Sequence, residues 1–289
     1  NKVAVVGAGL MGNGIAQACA TAGYEVVNID TFEAAIEKAQ TTVEKLFSRK
    51  VAKGSMTEEK KAEILERLTY SSDLTDVKDS FLVVEAVPEN IDIKKDTFKK
   101  IDELADPETV IVSNTSGLSI SEIASVTNRP DKVMGAHFFY PAPVMKLLEL
   151  VRGLATSDKT YETVREFAGK IGKTTVDAPE FPGFMVNRIL VPMQNEAAFM
   201  VMEGSSPEDV DNAMKLGCNH PMGPIELTDF VGIDTMLATM TGLYKGFHDS
   251  KYRPCPLLET MVKSGMLGKK SGQGFYKYDE KGNKIGSNF

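Results

Sequence analysis

The stretch VAVVGAGLMGNGIAQACATAGYEVVNID, residues 3–30, constrains this chain more than any other. An apolar run ends at Gly7, further glycines follow at Gly9 and Gly12, an apolar helical run comes next, and a second strand-like run closes on Asp30. In a strand–turn–helix–strand unit each part has a mechanical job. Gly7 makes the tight turn, Gly9 lets the backbone approach a pyrophosphate, and Gly12 lets the helix pack closely on the strand. The start of the helix then aims unpaired N–H groups at the anion. A lone three-glycine motif is often just a turn. Here the strand, the helix, the second strand and an acid about twenty positions on are all present, so the expectation is dinucleotide binding, with Asp30 accepting from the adenosine ribose. An acid at that place favours NAD, because a second phosphate would be repelled and neither Phe32 nor Glu33 is an arginine that could offset it.

Beyond this unit, the runs FLVVEAV, TVIVSNTS and KVMGAHFF are short and rich in Val, Ile and Phe, and helix-like segments separate them. Strands alternating with helices imply a mostly parallel sheet covered on both faces. A long charged segment over 32–68, broken at Gly54 and Ser55, reads as a helical hairpin inserted between the chain's second and third strands, YEVVNID and FLVVEAV. After DAPEFPG the strand runs stop and helical patterns take over. The expected fold is therefore α/β, a Rossmann-like doubly wound sheet followed by an all-helical C-terminal domain. The boundary falls near 180, giving domains 1–180 and 181–289, and the last eleven residues, DEKGNKIGSNF, read as a loose terminus.

Bulk composition excludes several classes. A net charge of -7 argues against nucleic acid as the main partner, because binding a phosphate backbone needs a basic surface. The longest apolar runs are too short to cross a bilayer, so no membrane role is expected. Three cysteines, far apart and odd in number, suit neither a disulfide framework nor a metal knuckle, and no metal is expected. A reducing compartment fits best. The expected location is the cytoplasm, with the mitochondrial matrix as the alternative, since the chain opens without Met and a leader could have been removed.

Of three histidines, His137 stands in HFFYPAP at the end of an apolar run. Most histidines beside apolar residues are structural, but this one falls at the carboxyl edge of the expected sheet, where ligands collect in doubly wound folds. Glu149 lies in the apolar run KLLELV, where an ionised carboxylate is costly unless solvated or paired. A histidine partner would supply the pairing; an exposed strand face would explain the residue equally well. Ser116 and Asn187 each stand beside an expected helix start, where capping is the ordinary role. His220 and His248 sit in loop-like surroundings and fit no metal spacing.

Taken in order, GAGLMGNGIA, VVEAVPEN, SNTSGLSI, HFFYPAPVMKLLELV, PGFMVNR, PMGPIELTDFVGID and GKKSGQGFY make the chain similar, over essentially its whole length, to the L-3-hydroxyacyl-CoA dehydrogenases, above all the short bacterial 3-hydroxybutyryl-CoA enzymes. The resemblance implies reversible hydride transfer between NAD and carbon 3 of an acyl-CoA, in a homodimer formed through the C-terminal domain. It makes His137 the acid/base, Glu149 its orienting carboxylate, and Ser116 and Asn187 polar contacts to the substrate oxygen. It places Gly7, Gly9, Leu10, Met11, Gly12, Asp30, Glu89, Lys94, Ser116 and Lys270 against NAD. It directs the CoA phosphates to Lys53, with Arg49 and Lys50 beside it, although a solvated helix face would carry the same charges.

One position departs from the family pattern: Tyr140 stands where the family has Asn after the two aromatics. Two other readings stay open on sequence alone. One is an NAD-dependent dehydrogenase of a free hydroxy acid or sugar acid, whose relatives use a lysine as acid/base. The other is a noncatalytic NAD-binding structural protein on the same fold.

Overall fold

The run KVAVV forms the first strand, β1 (Lys2–Val6), with four of its five residues buried. The computed structural model describes residues 1–289. After β1 come α1 (Leu10–Thr21), β2 (Glu25–Ile29), α2 (Glu33–Ala52), α3 (Glu58–Glu66), β3 (Leu68–Ser71), β4 (Ser80–Glu85) and α4 (Ile91–Leu104). They are followed by β5 (Val110–Ser113), α5 (Ile120–Ala124), β6 (Val133–Phe138), β7 (Leu147–Arg152), α6 (Asp158–Lys170) and β8 (Thr174–Ala178).

The eight strands form one sheet in the order β3-β2-β1-β4-β5-β6-β7-β8. Neighbours from β3 through to β6 run parallel, β6 and β7 run antiparallel, and β7 and β8 are parallel again. The chain walks outward from β1 through β2 to β3, then returns to lay β4 on the other side of β1. That reversal opens a crevice at the carboxyl ends of β1 and β4, where doubly wound sheets bind ligands. The short parallel strands are buried on both faces, which is why they read as continuous apolar runs.

The helices follow from their patterns. In α4, Lys94, Phe98, Ile101 and Asp102 are buried, one face at helical spacing, and the Asn90 side chain caps the start by accepting from the N–H groups of Asp92 and Ile93. Truncating the fully buried Phe98 to Ala would cost about 3–5 kcal/mol. The inserted hairpin is α2 and α3, turned at Gly54 with φ of 70°. It ends sooner than the charge pattern suggests. Residues Leu68–Ser71 form β3, which pairs with β2 and closes that edge of the sheet. Four residues are too few to show a strand period against a helical background.

The chain divides into two compact units, Asn1–Glu180 and Phe181–Phe289. The second contains α7 (Val186–Met202), α8 (Pro207–Cys218), α9 (Pro224–Val231), α10 (Ile233–Phe247) and α11 (Pro256–Lys263). It is helical with one exception that corrects the expectation of an all-helical domain and a loose tail. β9 (Tyr276–Tyr278) and β10 (Lys284–Ser287) pair antiparallel, and the buried Asp229 of α9 accepts the N–H groups of Phe275 and Tyr276 at 2.9 and 2.8 Å. The carboxylate, far away in sequence, holds β9, and the polar tail pairs onto that strand, which no local pattern reveals. No helix is long and apolar enough to cross a membrane.

Candidate active site

The glycine turn closes the amino side of the crevice. Gly7 has φ of 108°, and a Cβ there would lie 2.6 Å from the carbonyl oxygen of Ala86 at the end of β4. A Cβ on Gly12 would fall 1.9 Å from the Gly7 oxygen, so any larger residue would push α1 off the strand. At Gly9 a Cβ would meet nothing within 4 Å, which leaves backbone open to a close-approaching group. Helix α1 has no side-chain cap on its first N–H groups. These features fit a dinucleotide pyrophosphate. Leu10, the first helical residue, is 68 % exposed, and Met11 is half-buried. Asp30 accepts the Ala8 N–H at 2.8 Å on one oxygen and the Phe32 N–H at 3.0 Å on the other. It therefore braces the turn, and each oxygen keeps a lone pair for a ribose hydroxyl.

The carboxyl ends of β4 and β5 carry a connected polar chain. Glu85, the last residue of β4, is fully buried and accepts from Lys94 Nζ at 2.7 Å, the Val87 N–H at 2.7 Å and Ser113 Oγ at 2.6 Å. Lys94 is also buried and stands 3.5 Å from the second carboxylate, Glu89. Glu89 in turn accepts the Thr115 hydroxyl at 2.6 Å, the Ser116 N–H at 2.8 Å and the Ser116 hydroxyl at 3.1 Å. Ser116, 27 residues beyond Glu89, is thus brought to the Glu89 and Lys94 pair. Ser116 does not cap a helix; Ser119 caps α5 instead.

His137 and Glu149 are opposite one another across the antiparallel β6/β7 pair. His137 Nδ1 lies 2.6 Å from Glu149 Oε2, with His137 6 % exposed and Glu149 fully buried. A carboxylate can only accept, so Nδ1 carries the proton and the ring's tautomer is set. The Phe139 ring lies 4.4 Å from the imidazole, centroid to centroid. Asn114 Oδ1 accepts the Phe138 N–H at 2.9 Å, tying the end of β6 to the loop that leads to Ser116. The arrangement can take a proton on imidazole and stabilise the resulting cation with a buried carboxylate.

This geometry meets two family models: "3-hydroxyacyl-CoA dehydrogenase, NAD binding domain" matches residues 2–181, and the C-terminal domain of the same family matches residues 183–278. The chain belongs to the 3-hydroxyacyl-CoA dehydrogenase family. A probable 3-hydroxybutyryl-CoA dehydrogenase of Bacillus subtilis is 50 % identical over 281 residues, 97 % of this chain and 98 % of that one. The mitochondrial hydroxyacyl-coenzyme A dehydrogenase of Homo sapiens is 43 % identical, covering 96 % and 90 %. Among solved structures, the (S)-3-hydroxybutyryl-CoA dehydrogenase of Ralstonia eutropha superposes with a TM-score of 0.93 at 48 % identity, covering 96 % and 99 %. As a member of this family the chain is an NAD-dependent oxidoreductase of 3-hydroxyacyl-CoA.

The remaining family positions are spread more widely. Asn187 is the second residue of α7, half-buried, in the C-terminal unit. Lys270, in the same unit, pairs with Asp234 at 2.5 Å. Arg49 and Lys50 are in the last turn of α2 and Lys53 caps its end; Arg49 and Lys53 are exposed, and Lys50 leans over the Phe47 ring at 5.6 Å. Tyr140, directly after β6, is 51 % exposed. His248 caps α10 in the left-handed conformation, and His220 lies in the loop after α8. Sequence reading passed over Glu85, Asn114 and Thr115. The signal for Glu85 was present: an acid closing the apolar run FLVVE is as costly as the one in KLLELV, and it too needs a partner.

Proposed function

We propose that this chain interconverts a short-chain L-3-hydroxyacyl-CoA, of the size of 3-hydroxybutyryl-CoA, and its 3-keto form, with His137 as acid/base and Glu149 as its orienting carboxylate. The observation that carries the reading is the 2.6 Å cross-strand contact between His137 Nδ1 and Glu149 Oε2 at the carboxyl edge of the sheet. NAD, when bound, supplies the hydride acceptor. In the oxidising direction His137 takes the hydroxyl proton on Nε2, because Glu149 engages Nδ1. Glu149 then holds the imidazolium, whose charge a buried site would otherwise disfavour. In the reducing direction the same nitrogen returns the proton to the forming alkoxide. Imidazole, with an ordinary pKa of about 6.5, suits both directions. Ser116 and Asn187 contact the substrate oxygen. Gly7, Gly9, Leu10, Met11, Gly12, Asp30, Glu89, Lys94 and Lys270 serve NAD, and Lys53, with Arg49 and Lys50, meets the CoA phosphates.

The four-carbon substrate size is supported by the bacterial relatives, named for 3-hydroxybutyryl-CoA. A homodimer through the C-terminal unit is supported by large apolar side chains exposed there: Ile189, Met200, Leu216 and Phe230. Residence in the cytoplasm is supported by the bacterial relatives alone. The test is a set of initial rates with 3-ketoacyl-CoAs of increasing length and with free acetoacetate, each with NADH and NADPH. The expected result is highest efficiency with acetoacetyl-CoA and NADH. Equal efficiency with acetoacetate would replace the CoA ester by a free acid, and a preference for NADPH would overturn the role given to Asp30.

A further inference from the structure

We infer that Glu85 is a positioning residue that biases the site toward the oxidised cofactor. Its carboxylate is fully buried and holds Lys94, whose ammonium is 1 % exposed, at 2.7 Å. The same ammonium stands 3.5 Å from Glu89 Oε2 and donates to the Val87 carbonyl at 3.2 Å. Two carboxylates therefore share one ammonium, and the trio carries one net negative charge. The fold does not need such an arrangement for stability, because replacing a buried ion pair by apolar residues is often neutral or stabilising.

Position gives the trio its use. It lies at the carboxyl ends of β4 and β5, on the far side of the crevice from the glycine turn and Asp30. In doubly wound sheets a dinucleotide spans that crevice, so its second half crosses these strand ends. The two forms of NAD differ there by one positive charge on the nicotinamide ring. Two of its members, Glu85 and Lys94, are shielded from water while Glu89 is 43 % exposed, and the net negative trio stabilises the charged ring more than the neutral one. Glu85 acts through its neighbours. It keeps Lys94 anchored, so that the ammonium does not swing fully onto Glu89 and displace the Thr115 and Ser116 donors. The inference rests on the reading that Glu89 and Ser116 face the nicotinamide half of the cofactor.

The test compares dissociation constants of NAD+, NADH and ADP-ribose, by titration calorimetry, for the full chain and three variants. Glu85→Gln leaves the trio neutral, Lys94→Met doubles its negative charge, and the double variant restores the original charge. Glu85→Gln is expected to weaken NAD+ roughly three- to ten-fold relative to NADH, with ADP-ribose within about twofold. Lys94→Met is expected to move the NAD+ to NADH ratio the other way, and the double variant to return it to within about twofold of the starting value. A merely structural role would weaken all three ligands together, and that outcome, or a ratio that stays flat across the set, overturns the inference. Should Glu85→Gln fail to fold because Lys94 is buried without its partner, Lys94→Met and the double variant still decide the ratio. A flat ratio alongside loss of turnover in His137→Ala would remove this inference and leave the proposed function standing. A shifting ratio with turnover intact in His137→Ala would do the reverse.

Discussion

The N-terminal unit buries Glu149 opposite a histidine, and the C-terminal unit buries Asp229 among backbone N–H groups and a tyrosine hydroxyl. Both acids are fully buried. Asp229 accepts from Phe275, Tyr276 and Tyr278, and nearby Asp211 accepts the N–H groups of Ile225 and Glu226 and the Tyr276 hydroxyl at 2.7 Å. Those donors do not exchange a proton near neutrality: burial pushes both tyrosines further up from their ordinary range, reinforced by the neighbouring carboxylates. Around Asp229 the carboxylate fastens a strand to a helix. Around Glu149 the partner is an imidazole, which has a second ring nitrogen beyond the one that meets the carboxylate. Burial of an acid is thus no sign of chemistry by itself; the partner it meets decides what it does.

Four measurements would break or sharpen that contrast. Replacing His137 by Ala is expected to lower turnover by roughly 10²-fold or more while the NAD dissociation constant stays within about twofold; full turnover would end its assignment as the base. Asp229→Ala is expected to cost about 2–4 kcal/mol of stability in denaturant unfolding, by leaving the Phe275 and Tyr276 N–H groups without their acceptor. Its turnover, measured where the protein remains folded, should be unchanged. Glu149→Gln should have a milder effect than loss of the histidine, about tenfold on turnover, because the amide still fills the site but no longer holds an imidazolium. A pH–rate profile identical to that of the parent would show that Glu149 does not support the charged ring.

The smallest effect concerns pH. Burial pushes the Asp229 carboxyl up to about 6, against the lowering pull of its hydrogen bonds. Its pKa is therefore higher folded than unfolded, and the folded state holds the extra proton between about pH 4 and pH 6. Stability from this group is fully present below the unfolded value and is lost as pH rises through 6. Between pH 7 and pH 5 the parent should gain on the order of 1 kcal/mol relative to Asp229→Asn, read as the difference of two unfolding curves. No difference would mean that Asp229 is ionised throughout.

Much of the N-terminal unit was legible because its signals are local. Gly7, Gly9 and Gly12 stand at the spacing of a tight turn between strand and helix, and each strand from β1 to β6 other than β3 announced itself as a short apolar run. The strand β3, which begins where the charged helical segment ends, went unread, as did β10 inside a polar tail, since neither shows a period of its own. Within the site, His137 and Glu149 could each be singled out as costly or unusual where they stand. Ser116 could not: its neighbourhood reads as a helix cap, and Glu89 meets it only because β4 and β5 end side by side.

The sequence alone determined the dinucleotide turn, the acid at Asp30, the alternation that makes an α/β sheet, and the family to which the chain belongs. Those features depend on neighbours within a turn or a strand, where sterics and periodicity act without help. Tertiary structure decided which acid meets which base. The register of β6 against β7 sets Glu149 opposite His137, and a slip of one residue would turn either side chain to the other face of the sheet. The pairing of β4 with β5 brings Ser113 to Glu85 and Ser116 to Glu89. Such pairings are fixed by burying whole faces at once, and no single stretch of the chain contains the information.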